Sequence, residues 1–143
     1  MEFHEIFFTR SWEEQIYAQF RFYQKYSLQK SGVTEDFPFD DETLVMKVCN
    51  KMFVLFGSEK PLRINLKCDP VTAIGLREKF KSIIPGYHMH KKHWNTVIID
   101  GSIPDEIILG MIDDSYELVF KGLKKSEKLT LTQTLEKRND SRF

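Results

Sequence analysis

The sequence predicts an α+β fold: a two-layer sandwich in which an antiparallel sheet carries helices on one face. Three observations support it. Strand-like runs follow one another through tight connections, which makes neighbouring strands antiparallel. Helix-start signals stand before the first run and after the third and fourth, giving the order α-β-β-β-α-β-α. Hydrophobic residues make up 41% of the 143-residue chain and charged residues 29%, as in a folded globular domain.

The first helix is predicted over residues 12–30. Ser11 can cap its first turn, and Glu14 can reach back to the cap residue, which is the pattern of a capping box. Apolar and aromatic residues then recur at helical spacing, and Gly32 provides a stop. The pattern indicates a helix whose aromatic face packs on the domain.

Three strands are predicted after an acidic, proline-containing loop at residues 35–42. The runs 43–49 and 51–56 are rich in Val, Leu and Phe, and their tight connection predicts a hairpin. The third run, 62–67, alternates apolar and polar residues, so it is a half-buried strand with a basic outer face.

The second helix is predicted to open at Asp69-Pro70, a cap followed by a first-turn proline, and to end at Pro85. Residues 94–100 form the fourth strand. Pro104 and the two acids after it open the last helix, because acids are stabilised at the positive end of a helix dipole.

Strand parity predicts a basic outer face on the sheet. Basic residues interleaved with an aromatic side chain on an open sheet suit a nucleic-acid platform. A register slip of one residue would invert this face. Its predicted members are Lys47, Arg63, Asn65, Lys67, Trp94 and Thr96, with Lys51 joining at the hairpin.

The charge of the chain sums to zero, with 21 basic and 21 acidic residues, which excludes a uniformly basic nucleic-acid coat. The charges are nevertheless segregated. Residues 59–95 carry 8 basic and 3 acidic groups, a net +5, whereas residues 96–123 carry 1 and 6, a net −5. A polyanion would therefore bind the basic window.

The densest polar constellation is the segment 85–96, with three His, two Lys, one Tyr and one Trp. As a metal site it lacks a carboxylate and has lysines beside its imidazoles, which disfavours a cation. As a phosphate contact, Lys91, Lys92 and His93 supply charge and donors while Trp94 supplies a stacking face. The alternative is that Trp94 packs in the core and the lysines are simply solvated.

Ser115 and Tyr116 lie on the last predicted helix, and Ser115 interrupts its apolar stripe. A polar group there needs a partner, and the simplest is the carbonyl one turn back. Tyr116 could hydrogen-bond to the His-Lys loop. A pocket formed by Lys67, His93, Ser115 and Tyr116 is the third functional possibility, although no nucleophile and base can be assigned to it.

Four motifs in the chain resemble the MmcQ/YjbR family in order and spacing, across residues 20–125. They are NKMFVLFG (50–57), INLKCDP (64–70), PGYHMHKKHWNTVIIDG (85–101) and DDSYELV (113–119). The resemblance implies a CyaY/frataxin-like, double-wing α+β fold and a DNA-binding label. The family's recurring polar residues match Lys51, Lys67, Lys92, His93, Trp94, Ser115 and Tyr116 in this chain.

The frataxin-like fold also implies an alternative, a metal-binding acidic ridge. Carboxylates cluster between the first helix and the first strand, and oxygen ligands suit hard cations. The alternative to a metal site is an acidic loop that is simply exposed to solvent. The cluster consists of Glu35, Asp36, Asp40, Asp41 and Glu42.

We therefore expect one domain over residues 1–125, with an aromatic N-terminal extension at about 1–19, followed by a polar tail at 126–143. The leading expectation is a non-enzymatic DNA-binding protein that needs no cofactor. Its contacts would be Lys51, Arg63, Lys67, Lys91, Lys92, His93 and Trp94. Cys49 and Cys68 lack metal-site spacing, and no apolar run could span a bilayer. We expect a cytoplasmic protein without membrane contact, as a monomer or weak homodimer.

Overall fold

The computed structural model describes the backbone of residues 11–140 and the side chains of residues 11–133. Its elements are four helices and six strands over these residues. The helices are α1 (Trp12–Leu28), α2 (Pro70–Lys79), α3 (Asp105–Lys121) and α4 (Lys125–Asp140), and the strands are β1 (Val33–Asp36), β2 (Leu44–Val48), β3 (Lys51–Phe56), β4 (Arg63–Lys67), β5 (Ile83–Pro85) and β6 (Trp94–Ile98).

The six strands form one antiparallel sheet in the order β1-β2-β3-β4-β6-β5. The predicted fold class is confirmed, with two short edge strands added to the four predicted ones. The β2–β3 hairpin is also confirmed. Its two-residue turn has positive φ at Cys49 (47°) and Asn50 (63°), as a turn that follows the sheet twist requires.

The sequence pattern does not predict the two edge strands, β1 and β5, for a physical reason. β1 contains Glu35 and Asp36, which the sequence predicts as loop, and three of its four residues are exposed. β5 has three residues and ends in Pro85, a residue tolerated at a sheet edge because it lacks an N–H. Neither strand carries the apolar alternation that marks a half-buried strand.

The main core lies between the sheet and the helix layer. α3 crosses β3 and β4 and buries Ile108, Met111 and Ile112 against Ile64 and Leu66. Of the predicted capping box of α1, the Ser11 cap is confirmed, because Ser11 Oγ accepts from the Glu14 amide at 3.2 Å. The helix layer covers one face of the sheet, and other segments of the chain pack on the opposite face.

That opposite face, the outer face, is not fully open. It carries a second, small core in which Val45 (0% exposed), Leu55 (5%) and Trp94 (8%) pack together. Met52 and Met89 pack against this cluster, and Met89 belongs to the segment between β5 and β6. The prediction of an open, available outer face is therefore wrong over this part of the sheet.

The C-terminal segment differs from the predicted polar tail, because residues 125–140 form α4. Leu131 is buried in the main core, and a Cβ at Gly32 would overlap its side chain. Leu129 remains 58% exposed. In the predicted N-terminal extension, residues 12–19 are part of α1, and residues 1–10 lie outside the described range.

Two further sequence expectations bear on the surroundings of the protein. Cys49 and Cys68 are both free thiols. Across the described residues, no helix combines the length and the apolar character needed to cross a bilayer.

Candidate functional site

The register of β4 against β6 confirms the predicted parity of the outer face. Arg63 lies opposite Ile98, Asn65 opposite Thr96 and Lys67 opposite Trp94. The alternate pair Ile64 and Val97 belongs to the core under the helices. On β4 and β6 the outer face therefore carries the polar residues that the alternation predicts, whereas Lys51 lies opposite Val48 of the main core, so its predicted place on the outer face is wrong.

Trp94 does not offer a stacking face. Its side chain is 8% exposed and belongs to the small core on the outer face. Gly86 packs against the backbone and Cβ of Trp94, because its amide donates to the Trp94 carbonyl at 2.8 Å and a Cβ at Gly86 would lie 2.9 Å from the Trp94 Cβ. The structure thus confirms the alternative that Trp94 packs in a core, and the stacking role is wrong.

Antiparallel pairing brings basic residues from separate segments to one end of the sheet, where the central strands β3, β4 and β6 begin or end. β3 begins, β4 ends and β6 begins at this end of the sheet, so Lys51, Lys67 and His93 all lie there. The Cys68 amide donates to the His93 carbonyl at 2.7 Å and joins two of the segments directly. We call this group the basic edge: Lys51, Lys67, Lys91, Lys92 and His93.

The side chains of the basic edge are accessible. Lys67 is half-buried, and the other four residues are exposed. Among the described residues, no carboxylate lies within salt-bridge distance of any of its four lysines. The nearby acid Asp69 is used locally, since its Oδ2 accepts from the amides of Val71 and Thr72 at the start of α2.

Arg77, which the sequence analysis did not single out, anchors the loop that carries Lys91 and Lys92. Its Nε donates to Asn95 Oδ1 at 2.7 Å, and its Nη2 donates to the Lys91 carbonyl at 2.5 Å. A basic residue on α2 carries no sequence signal for such a role, because the contact joins residues 14 and 18 positions apart. The anchoring reduces the freedom of the loop backbone, while the Lys91 Nζ lies over the Tyr87 ring at 5.4 Å from its centroid and both lysines remain exposed.

Two predicted outer-face cations do not belong to the basic edge. Arg63 lies at the other end of β4, four residues or about 13 Å from Lys67. Its Nε is 3.3 Å from a Glu59 carboxylate oxygen. Lys47 pairs with Asp36 at 3.2 Å. Both charges are therefore partly neutralised within the protein.

The imidazoles of the His-rich segment do not form a metal site. The rings of His90 and His93 lie 4.8 Å apart between centroids. No set of three His, Cys, Asp or Glu side chains converges on a cation position in the part of the chain that the structure describes.

The acidic cluster is dispersed over separate local contacts. Glu35 accepts from Gln24 at 3.0 Å, and Asp36 pairs with Lys47. Asp40 Oδ1 accepts from the amides of Glu42 and Thr43, and these backbone hydrogen bonds lower the pKa of the Asp40 carboxyl. Asp41 and Glu42 are exposed. The described residues therefore give no geometric basis for a metal-binding ridge.

Ser115 has a structural role with a different partner from the predicted one. Its hydroxyl is fully buried, donates to the Phe53 carbonyl at 2.6 Å and accepts from the Lys67 amide at 2.9 Å. The last aligned residues of β3 and β4 at this end are Val54 and Leu66, so the hydroxyl bridges the two strands one position further on. The prediction of a bond to the preceding helical turn is wrong.

Tyr116 is also committed to the helix layer. Its hydroxyl donates to the Ser31 carbonyl at 2.7 Å, at the turn between α1 and β1, and not to the His-Lys loop. The Lys67 side chain and His93 lie at the basic edge, whereas Ser115 is bonded inside the core. The predicted four-residue pocket is therefore wrong.

Burial, and next the charge of Glu117, raises the pKa of the Tyr116 hydroxyl above its ordinary value. A phenol whose pKa is raised by folding contributes stability below the unfolded pKa of about 10 and loses it as the pH rises through the folded value. Tyr116→Phe removes this dependence together with one hydrogen bond worth about 1 kcal/mol. We therefore expect urea unfolding to show a smaller stability gap between the two proteins at pH 11 than at pH 8. An identical gap at both pH values would contradict the assignment.

Comparison with known proteins places the chain among relatives of similar size. A family model described as YjbR matches residues 28–118. The chain is 30% identical over 110 residues to the uncharacterized protein YjbR of Escherichia coli strain K12, covering 76% of this chain and 93% of that relative. It is 38% identical over 92 residues to the uncharacterized protein YbdF of Escherichia coli O157:H7, covering 64% of this chain and 75% of that relative.

Two solved structures share the fold. The crystal structure of the Deinococcus radiodurans protein DR2400, with domain DUF419, matches with a TM-score of 0.72 and 41% identity over 76% of this chain and 84% of the other. A crystal structure of a Pseudomonas syringae protein matches with a TM-score of 0.57 and 26% identity over 76% and 98%. The sequence resemblance, the matched family model and the shared architecture agree: the chain belongs to the YjbR family.

Proposed function

We propose that this protein binds nucleic acid, with DNA as the expected form, and that the basic edge contacts the phosphates without catalysing a reaction. One observation carries the proposal. Lysines from β3, β4 and the β5–β6 segment lie at one end of the sheet. None of them has a carboxylate partner among the described residues. Structural ion pairs do not account for these four charges.

The chemistry of the basic edge favours phosphate contact over base reading. A lysine ammonium acts as a flexible point charge, whereas base recognition in the major groove commonly uses the planar fork of arginine. Among the described residues, the arginine beside the edge is Arg77, and it is occupied by Asn95 and the Lys91 carbonyl. Because Trp94 is buried, a base cannot stack on its ring, so stacking gives no support to base recognition either. We infer binding with little sequence preference.

Such binding depends strongly on salt, because each phosphate neutralised by a lysine releases condensed counterions. Because the net charge of the chain is zero, no attraction from overall charge adds to the contacts of the basic edge. We infer a cytoplasmic location, because a reducing compartment keeps the free thiols of Cys49 and Cys68 reduced. A monomer or weak homodimer stays the expected state in solution.

The test is a fluorescence anisotropy titration of a labelled DNA duplex at several NaCl concentrations. We expect Lys67→Gln/Lys92→Gln to weaken binding about tenfold or more at low salt and to reduce the slope of log K against log salt by about 2, one per lysine. The loss should be similar for duplexes of different sequence, because the contacts are to phosphates.

The matched control is Lys25→Gln/Lys121→Gln, which removes the same charge from exposed positions on α1 and α3. We expect it to bind DNA as the parent protein does. Equal losses in the two double variants would assign the binding to net charge, and no binding at low salt would overturn the proposal.

A further inference from the structure

A cleft opens on the outer face, away from the basic edge, at the end of the sheet where β4 begins. Its volume is about 370 Å³, within the range of small-molecule sites. Its floor is formed by β3, β4 and β6, and its walls are formed by the segments around Phe39 and Tyr87. The residues that line the cleft include Phe39, Leu55, Arg63, Asn65, Tyr87 and His88.

Among the described residues, Arg63 and Asn65 have donors without a hydrogen-bond partner in the cleft, and the carboxylate of Glu59 also lines it, so a bound anion would replace Glu59 beside Arg63. The Nε of Arg63 is buried and makes no hydrogen bond among the described residues, although a Glu59 oxygen lies 3.3 Å away at an unsuitable angle. Buried polar groups of native proteins are nearly always hydrogen-bonded, so this donor calls for an acceptor. Asn65 uses its Oδ1 to accept from Thr96 at 2.6 Å, which leaves its amide nitrogen for another acceptor. An anionic group would satisfy both donors.

The apolar part of the cleft suits a planar ring. Phe39 and Tyr87 line it and are 63% and 61% exposed, which is high for aromatic side chains in a folded domain. Leu55, 5% exposed, supplies an apolar floor. A ring inserted here would cover the two aromatic side chains and exclude water from them.

We propose that this cleft binds a small organic anion in which a planar ring carries a carboxylate or a phosphate. The ring lies against Phe39 and Tyr87, and the acidic group accepts hydrogen bonds from Arg63 and Asn65, with His88 at the rim. The anion-binding end of the cleft is separate from Lys67, because Arg63 and Lys67 stand about 13 Å apart at opposite ends of β4, whereas Lys91 of the basic edge lies over the Tyr87 ring at 5.4 Å from its centroid.

The experiment is a titration of the ¹⁵N-labelled full chain, followed by amide chemical shifts, with 5′-AMP and benzoate as ring-bearing anions. Adenosine and inorganic phosphate serve as the ring alone and the anion alone. We expect 5′-AMP, benzoate or both to shift the amides of Leu55, Asn65 and Thr96, and each half-probe to bind at least tenfold more weakly. Binding of 5′-AMP alone identifies a nucleotide class, and binding of benzoate alone identifies an aromatic carboxylate class.

Arg63→Gln is expected to weaken the binding of the responding anion at least tenfold, and Lys121→Gln, with the same charge change on α3, to leave it unchanged. Phe39→Ala, in an exposed loop, provides a second test that does not alter the sheet. If neither anion shifts the cleft amides, or if Arg63→Gln and Phe39→Ala bind as the parent does, the inference fails. If binding survives in Arg63→Gln but is lost in Lys67→Gln/Lys92→Gln, it belongs to the basic edge, and the inference fails while the DNA proposal stands.

Discussion

Replacing Trp94 with alanine is expected to lower the free energy of unfolding by about 3–5 kcal/mol, the range for truncating a buried aromatic side chain. Trp94 is 8% exposed and fills the centre of the small core with Val45 and Leu55. Removing the indole leaves a cavity beneath Met89. Urea unfolding followed by far-ultraviolet circular dichroism measures the loss.

The matched control is Trp12→Ala, the same substitution at a tryptophan that is 72% exposed on α1. We expect its effect to stay within about 0.5 kcal/mol, as for surface substitutions in general. Equal destabilisation by the two substitutions would contradict the assignment of Trp94 to a core.

Fluorescence separates the core role of Trp94 from the stacking role. Trp12→Phe leaves Trp94 as the one tryptophan of the chain. We expect its emission to resist quenching by iodide and to stay unchanged when DNA binds. Strong quenching on DNA addition would show that a base stacks on the ring and would restore the stacking hypothesis.

The sheet face could be predicted from sequence because the signal is local. The alternation of Arg63, Asn65 and Lys67 with apolar residues fixes which side chains share a face, and pairing with β6 preserves that parity. Asn50 likewise predicts the positive φ of the hairpin turn. Each of these features depends on neighbouring residues in one strand or one turn.

What covers the outer face could not be predicted, because it depends on contacts between distant segments. Nothing local to residues 86–93 indicates that Met89 packs over the sheet or that Arg77 holds the Lys91 carbonyl. The same holds for α4, whose largely polar sequence is typical of a tail, although Leu131 attaches it to the core. Lys51, Lys67 and Lys92 are distant in sequence and become neighbours only through strand order.

The basic edge has a structural dependence that links stability to the proposed function. The backbone of Lys67 is held at its amide by Ser115 from the core side, while its side chain stands on the outer face. The serine hydroxyl thus fixes the end of β4 from which the lysine projects. A change inside the core can therefore alter the position of a surface charge.

Replacing Ser115 with alanine is expected to destabilise the protein by about 2–6 kcal/mol, because the Phe53 carbonyl and the Lys67 amide each lose a buried partner at about 1–3 kcal/mol. The cavity left by one oxygen atom is too small to contribute much. Urea unfolding gives the magnitude. The control is Ser126→Ala at an exposed position of α4, expected to stay within about 0.5 kcal/mol.

Hydrogen exchange distinguishes the loss of this local hydrogen bond from a global loss of stability. If Ser115 bridges β3 and β4, the Lys67 amide loses its acceptor in Ser115→Ala and should exchange faster than the other amides of β4, beyond the acceleration common to all of them. Acceleration that is uniform along β4 would contradict the bridge. If the bridge is confirmed, Ser115→Ala should also weaken DNA binding less than Lys67→Gln does, because the charge remains and only its anchoring is lost.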